Sequence, residues 1–212
     1  MADKVTIVNW ALAELGLAPR FTIDDATPLG GTVDIFWPRA IGRAFGLHDW
    51  TFCRQTFQLT RQEAVPVTGY RYGFSLPGAD ARIGPPQKVL SDPRSQRPIR
   101  DMRIEGQTLF CDEDRAFAVC KVPVDPGTWD LQWADCFGVL LAAFLAVPLL
   151  QDADMAAEKE VKAVGTPQQG GAGGVFGRLI AQDRAAAPVG SNLYADDPLT
   201  AAHGGAPWYG RY

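Results

Sequence analysis

The stretch Phe45-Gly-Leu-His-Asp-Trp-Thr-Phe-Cys-Arg-Gln55 marks the point at which the chain changes from helix to strand. Before it, apolar residues recur at the spacing of a helix face, and after it short aromatic and β-branched segments alternate with turn residues. The helical pattern resumes near Trp129 and continues to Leu150. The sequence therefore predicts two blocks of helices with a set of strands inserted between them.

The composition of the 212-residue chain is that of a globular protein, with 47% hydrophobic and 21% charged residues. This length suffices for one domain, or for a domain with a small insertion. The formal net charge of -4 argues against a protein that grips nucleic acid through bulk positive charge. It does not exclude a protein along which DNA moves without being bound.

The cysteine and histidine content gives no indication of a metal site. The residues concerned are Cys53, Cys111, Cys120, Cys136, His48 and His203. No two cysteines have the CxxC spacing typical of zinc ligands. We therefore expect buried apolar thiols in a reducing compartment, with no metal and no cofactor.

The sequence predicts neither a signal peptide nor a membrane span. Asp3 and Lys4 precede an amphipathic pattern rather than a continuous apolar one. The longest uncharged apolar run, Cys136 to Leu150, is too short to cross a bilayer and is interrupted by Pro148. We expect this run to be a buried helix.

Two helices are predicted before the change to strand. The first covers residues 2–15, with Asp3 as its N-cap. The second begins at Pro28, because proline at the first helical position loses no hydrogen bond, and continues to about Phe45. Pro38 lies inside this helix and is expected to kink it.

The inserted region contains several short strands separated by turn residues, which indicates a small antiparallel sheet. Strands are expected at Asp49–Leu59, Tyr70–Leu76, Lys88–Leu90 and Ala116–Val124, with a hairpin formed by Met102–Glu105 and Thr108–Cys111 around Gly106-Gln107. Pro85-Pro86 is expected to break the chain between strands.

The second helical block begins near Trp129. A more polar helix is expected at Asp152–Val164, then a flexible glycine-rich break at residues 165–174, and a shorter helix at Val175–Ala187. The expected fold is α+β, with an antiparallel helical bundle, an inserted small antiparallel β module and an extended C-terminal arm. These parts are assigned to residues 1–47 with 128–187, to residues 48–127 and to residues 188–212.

Four motifs give this chain a resemblance to a known family. They are Ala11-Leu-Ala-Glu-Leu-Gly16, Phe36-Trp-Pro-Arg39, His48-Asp-Trp-Thr-Phe52 and Ile104-Glu-Gly-Gln-Thr-Leu109. Over residues 3–160 the chain resembles the tail tubular protein A family of short-tailed bacteriophages. The most specific positions are the hinge residues Trp37, Pro38, His48, Trp50 and Phe52. After Val164 the family usually continues in a long alanine-rich helix, whereas this chain has the glycine-rich segment.

The resemblance implies a structural virion protein and not an enzyme. Members of this family form a ring, a dodecamer by analogy, that docks under the portal protein, extends the DNA channel and holds the tail nozzle or tube. The implied location is the head–tail interface of the virion, after synthesis in the host cytoplasm. Genomic DNA would pass through the lumen without sequence-specific contact, and no membrane is involved.

Two sets of residues are candidates for binding partners. The basic cluster Arg94, Arg97, Arg100 and Arg103 could contact DNA phosphates, acidic groups of a neighbouring subunit or of the portal, or solvent alone. The terminal aromatic residues Trp208, Tyr209 and Tyr212 are candidates for docking, because aromatic side chains are enriched at interface hot spots. The alternative for them is a frayed terminus.

His48 is the candidate for chemistry, and it carries the alternative hypothesis of a small α+β enzyme or a monomeric binding module. Asp49 could orient it as a general base, but the sequence places no nucleophile beside it. We expect instead that His48 caps the preceding helix or bonds to backbone, so that no residue is catalytic. The acidic turns Asp24-Asp25 and Asp112-Glu-Asp114 could bind a cation through oxygen, but exposed turns are the expectation.

Overall fold

The computed structural model describes residues 2–94 and 98–186. Within these residues the fold is mixed α+β, with five α-helices and two antiparallel sheets. The described chain forms two compact units. The helical unit comprises Met1–Gln55, Ala79–Pro85 and Lys121–Ala186, and the sheet unit comprises Thr56–Gly78 and Pro86–Cys120.

The elements follow the predicted order of helices, strands and helices. The helices are α1 Lys4–Glu14, α2 Pro28–Gly46, α3 Leu131–Leu150, α4 Ala153–Val164 and α5 Gly174–Ala186. The strands are β1 Arg54–Gln58, β2 Thr60–Arg61, β3 Tyr72–Ser75, β4 Ile83–Leu90, β5 Met102–Glu105, β6 Thr108–Cys111 and β7 Phe117–Lys121. One sheet has the order β1-β7-β4 and the other the order β2-β3-β6-β5.

Short polar side chains fix the starts of the helices. The prediction that Asp3 caps α1 is confirmed, because its carboxylate accepts a hydrogen bond from the Thr6 amide at 2.8 Å. Asp130 and Asp152 cap α3 and α4 in the same way. The cap at Asp130 explains why α3 begins at Leu131 and not at Trp129.

Helix α3 is the centre of the helical unit and contacts α1, α2, α4 and α5. Its length and mean hydropathy of 2.0 would allow it to cross a membrane, but 67% of the relevant window is buried within the protein. Helix α1 packs on α3 at Gly138, where an added Cβ would lie at an ordinary contact distance of 3.6 Å from the Cβ of Trp10. The helix is a core helix of this unit, as expected from its apolar surface on all sides.

The sheet unit has a core of its own. The predicted hairpin is confirmed, with Glu105 opposite Thr108 and Gly106 at a φ of +57° in the turn. Leu109 and Phe74 are among its fully buried side chains. In β7 the buried residues are Ala118 and Cys120, on the face opposite Phe117, Val119 and Lys121.

Two expectations about the strands are wrong. Pro85-Pro86 does not break the chain, because β4 continues through it to Leu90. β4 is an edge strand, where an amide that points away from the sheet needs no ladder partner, so proline is tolerated there. The strand predicted from Asp49 starts only at Arg54, because Thr51–Cys53 forms a 3₁₀ turn.

The glycine-rich segment after α4, which was expected to be a flexible break, contains a hydrogen-bonded turn. The side-chain carbonyl of Gln169 accepts a hydrogen bond from the Thr166 amide at 2.9 Å, which closes a 3₁₀ turn over Pro167–Gln169. The Gly173 amide then donates to the carbonyl of Val164 at 3.2 Å. These bonds lead the chain directly into α5.

Candidate functional site

The hinge motif belongs to an aromatic cluster in the helical unit. The cluster consists of Trp37, Phe45, Trp50, Phe52, Trp129, Trp133, Phe137 and Phe176. Its closest pair is Trp129 and Trp133, with ring centroids 4.5 Å apart. Trp50 is 1% exposed, whereas the Phe52 ring at the margin is 41% exposed. The cluster joins α2, the hinge, α3 and α5 in one continuous packing.

Two of the buried indoles also make polar contacts with backbone. The Trp50 indole donates to the carbonyl of Ala44 at 3.0 Å and so satisfies an acceptor in the last turn of α2. The Trp129 indole donates to the carbonyl of Val124 at 3.1 Å. The Trp133 indole nitrogen, by contrast, has no acceptor among the described residues. These tryptophans therefore fix the chain path at the ends of helices as well as filling the core.

The remaining residue of the Trp-Pro motif lies outside the cluster. Pro38 is inside α2 on its exposed face, next to the buried Trp37. It removes the amide that would otherwise bond to the carbonyl of Asp34. The side chain of Asp34 forms an ion pair with Lys4 at 2.9 Å, which joins α2 to α1.

His48 contacts a carboxylate that its position in the sequence gave no reason to expect. Its Nε2 lies 3.0 Å from Oδ2 of Asp183 in α5, and both side chains are largely buried, at 12% and 14% exposure. The other oxygen of Asp183 accepts hydrogen bonds from the Thr51 hydroxyl at 2.5 Å and from the Thr51 amide at 3.3 Å. His48, Thr51 and Asp183 form what we call the hinge clamp.

The clamp corrects the expectation for His48, whose side chain bonds to Asp183 rather than to backbone. It also differs from a nucleophilic triad, in which the hydroxyl donates to the imidazole and the imidazole to the carboxylate. Here the Thr51 hydroxyl and the His48 ring both bind the same carboxylate. The arrangement holds α5 against the hinge and does not deliver the hydroxyl proton to His48.

Lys121 makes a second set of polar contacts at the hinge, and the sequence did not predict them. Its ammonium group donates to the carbonyl of Phe45 at 3.0 Å and to that of His48 at 3.4 Å, and it lies 3.4 Å from the Asp49 carboxylate. A cation at the C-terminus of α2 satisfies carbonyls that the helix leaves unpaired. Lys121 is the last residue of β7, and no local sequence pattern predicts its contact with α2.

The cysteines are buried, as expected, and two of them are poor nucleophiles. Burial raises the pKa of Cys53 to about 11 and that of Cys136 to about 11. Burial also raises the pKa of Cys111. Thiols with such pKa values stay protonated near neutral pH, and it is the thiolate that attacks.

The acidic turns have local structural roles. The Asp25 carboxylate accepts a hydrogen bond from the Thr27 amide at 2.9 Å, and Asp112 accepts one from the Arg71 amide at 2.9 Å. Hydrogen bonds from the Thr27 side chain and amide lower the pKa of Asp25. In residues 2–94 and 98–186, no group of three or more potential metal ligands converges.

The described members of the basic cluster are all exposed, and two of them make contacts within their own segments. Arg103 pairs with Glu105 at 2.7 Å, and the Arg94 amide bonds to the side chain of Asp92 at 2.9 Å. Arg100 precedes β5 in an exposed connection. Arg97 and the aromatic residues Trp208, Tyr209 and Tyr212 lie outside the described residues.

The structure thus brings together the aromatic hinge and its clamp. The sequence predicted the hinge through its aromatic residues, but it did not reveal Asp183, which lies 135 residues from His48. No protein-family model matches the chain, and a search of curated proteins finds no similar sequence.

Proposed function

We propose that this chain is a structural protein of a bacteriophage virion that connects the portal to the tail. In this role copies form a ring, a dodecamer by family analogy, which extends the DNA channel and carries the nozzle or tube proteins. The proposal includes no catalytic residue and no cofactor. The protein would be made in the host cytoplasm and would act at the head–tail interface.

One observation supports the proposal most directly. Three positions of the motif, Trp37, Trp50 and Phe52, belong to the same aromatic cluster, where they hold separate parts of the chain together. A motif whose residues serve packing is consistent with a structural protein that assembles with other virion proteins. The clamp around His48 fits as well, since it holds a helix in place.

Each part of the chain makes different contacts in the proposed ring. The helical bundle of residues 1–47 and 128–187 would make the contacts between neighbouring copies. The β module of residues 48–127 and the C-terminal arm of residues 188–212 would meet the portal and the tail protein. A heterologous contact repeated around a closed ring lets a small chain surround a channel.

Exposed apolar side chains on the helices supply a testable contact surface for the ring. Ile35 in α2 is 62% exposed, although the neighbouring Trp37 is buried. Val65 in the sheet unit is 85% exposed and offers a matched control. A charge on a helix face used between copies should block closure, whereas a charge at Val65 should not.

The first experiment is the native mass of the purified chain, alone and mixed with the portal protein. A ring that forms alone, or only on the portal, is the expected result. Ile35→Glu should reduce the ring to monomers without loss of helicity, and Val65→Glu should leave intact a ring that forms without the portal. A monomer that does not bind the portal would overturn the proposal.

The second candidate function is an enzyme or monomeric binding module centred on His48. The observation in its favour is the partly buried pair of His48 and Asp183. A monomeric native mass, together with a small-molecule ligand whose affinity falls with His48→Gln, would favour it. Under the adaptor proposal the same variant changes stability alone.

A further inference from the structure

The sheet unit contains a cleft of about 440 Å³ at the place where the chain passes from β1 to β2. The floor of the cleft is apolar, with Leu59 at 7% exposure and Phe74 and Ala116 at 1%. The Leu59 amide donates a hydrogen bond to the carbonyl of Ala116 at 2.9 Å, which joins the two sides of the floor. The cleft is therefore a preformed apolar recess that a side chain from outside can enter.

The rim of the cleft is mainly basic. The exposed Arg61 and Arg115 lie on the rim together with Thr60 and one acid, Asp114. The guanidinium group of Arg61 lies over the Tyr72 ring, 3.9 Å from its centroid, and this contact orients the arginine side chain. A recess with an apolar floor and two guanidinium groups at its mouth fits an apolar side chain that is accompanied by carboxylates.

The start of α3 carries a side chain of this kind. Leu131 is 60% exposed, although most of α3 is buried. Asp135 lies one turn later on the same face of the helix, and both Asp130 and Asp135 are exposed. Asp130 uses one carboxylate oxygen to accept bonds from the amides of Gln132 and Trp133, which fixes the first turn. The helix thus holds an apolar side chain and two carboxylates in a defined arrangement.

We propose that Leu131 of one copy of this chain docks in the cleft of a second copy. In this contact Asp130 and Asp135 face the two guanidinium groups on the rim, so the charges of the two surfaces are complementary. The start of α3 and the cleft are different surfaces, so each copy can engage two neighbours, as a ring of identical subunits requires. The inference deepens the proposed function and rests on contact between copies, in addition to the contacts between helices.

Ile23 provides a comparison within the helical unit. It is 73% exposed and is followed by Asp24 and Asp25. It lies in the loop before α2, and the Asp25 carboxylate already accepts a hydrogen bond from the Thr27 amide. Because no helix holds these side chains in one arrangement, ordering them on docking would cost more conformational entropy. Ile23 is therefore a matched control for Leu131, with a similar side chain and similar local charge.

The first test is disulfide cross-linking between two single variants of the full chain, Thr60→Cys on the rim and Gln132→Cys beside Leu131. Mild oxidation of their mixture should give a linked dimer, because docking brings the rim of one copy to the start of α3 of the other. In the control mixtures, Thr22→Cys replaces Gln132→Cys, or Val65→Cys replaces Thr60→Cys. A yield of mixed dimer no higher than in these controls would overturn the inference.

The second test is self-association of the chain, measured by sedimentation. Leu131→Asp should raise the dissociation constant between copies about tenfold, as expected for an apolar anchor at the centre of a contact, and Ile23→Asp should leave it unchanged. Arg115→Glu and Asp135→Arg should each weaken association. The two together should restore it, because their charges again attract each other. Association of Leu131→Asp equal to that of the native chain would refute the docking.

The outcomes for this contact and for the proposed function can be distinguished. Rings of Leu131→Asp that persist, alone or on the portal, would refute the docking and leave the adaptor role unaffected. A native chain that forms no ring and ignores the portal would overturn the adaptor role, and the yield of mixed dimer would still decide whether two copies meet through the cleft. A link that forms only inside one chain with both cysteine substitutions would also refute the docking, since the proposed occupant is a second copy.

Discussion

Trp37 lies parallel to Trp129, with ring centroids 6.2 Å apart and planes 5° from parallel. One ring comes from α2, before the strands, and the other comes from the approach to α3, after them. The edge of Phe137 also contacts Trp37 at 5.1 Å between centroids. The two helical blocks that the strands separate in sequence are therefore joined through Trp37.

Replacing Trp37 should be among the most damaging single changes in the chain. Trp37→Ala should lower the free energy of unfolding by about 3–5 kcal/mol, because it removes a buried ring and leaves a cavity. Trp37→Phe should cost less. Urea denaturation gives these values, with the exposed Ile35→Ala as the control. Equal effects of the two alanine variants would contradict the role of the stack.

Loss of the carboxylate in the hinge clamp should loosen α5. Asp183→Ala should cost about 1–3 kcal/mol of unfolding free energy, because it leaves the part-buried Thr51 and His48 groups without their acceptor. Arg184→Ala, on an exposed position of the same helix, should change stability by no more than about 0.5 kcal/mol. Thermal unfolding of both variants makes the comparison, and similar values would argue against the clamp.

The cation at the end of α2 should also contribute to stability. Lys121→Met keeps most of the side-chain volume but removes the donors to the carbonyls of Phe45 and His48. We expect a loss of about 1.5–3 kcal/mol, the range for hydrogen bonds from charged groups. The exposed Lys88→Met is the control. An unchanged denaturation midpoint for Lys121→Met would exclude this capping role.

Two adjacent glycines in α2 should respond in opposite directions to alanine. A Cβ at Gly30 would overlap the carbonyl oxygen of Asp25, whereas a Cβ at Gly31 meets nothing within 4 Å. Gly30→Ala should therefore destabilise the protein. Gly31→Ala should stabilise it by about 0.5–1 kcal/mol through helix propensity. Chemical denaturation would measure the change in unfolding free energy for each variant. A change of the same sign in both would show that the loop before α2 moves to make room for the added methyl group.

The ion pairs between α1 and α4 should make stability depend on pH in the acid range. The hydrogen bond from Lys162 to Glu14, at 2.7 Å, lowers the pKa of Glu14 from its ordinary 4.5, although partial burial opposes the shift. The folded protein thus binds fewer protons than the unfolded chain around pH 4. The stability from this pair is complete above the ordinary pKa and is lost as pH falls through the folded value.

The measurement for Glu14 is the free energy of unfolding as a function of pH, in the native chain and in Glu14→Gln. The substituted chain should lose less stability between about pH 5 and pH 3, since it lacks the titrating group. Parallel curves would mean that the pair contributes nothing to folding. Lys159, 3.6 Å from the same carboxylate, remains in both proteins.

Local rules predicted the helices well. Asp3 and Pro28 mark helix starts because capping and the fixed φ of proline act within a few residues. The hairpin at Gly106 follows from the same kind of local chemistry. The strand through Pro85-Pro86 was not predictable in this way, because the tolerance depends on β4 being at an edge, which is a property of the assembled sheet.

The polar contacts of the hinge could not be predicted from the sequence. Asp183 and Lys121 are ordinary charged residues in their own segments, and only folding brings them to His48 and Phe45. The aromatic residues of the hinge stood out because large apolar rings must be buried together. A single polar partner far along the chain has no such signature.

The paired prolines of β4 also affect how the protein behaves at high concentration. An exposed strand margin ordinarily recruits strands from other molecules and begins aggregation. Successive amides in a strand point to opposite sides, so one of Pro85 and Pro86 removes a donor from this edge, which weakens pairing with an added strand. One route by which copies of the protein could aggregate is therefore disfavoured at this edge.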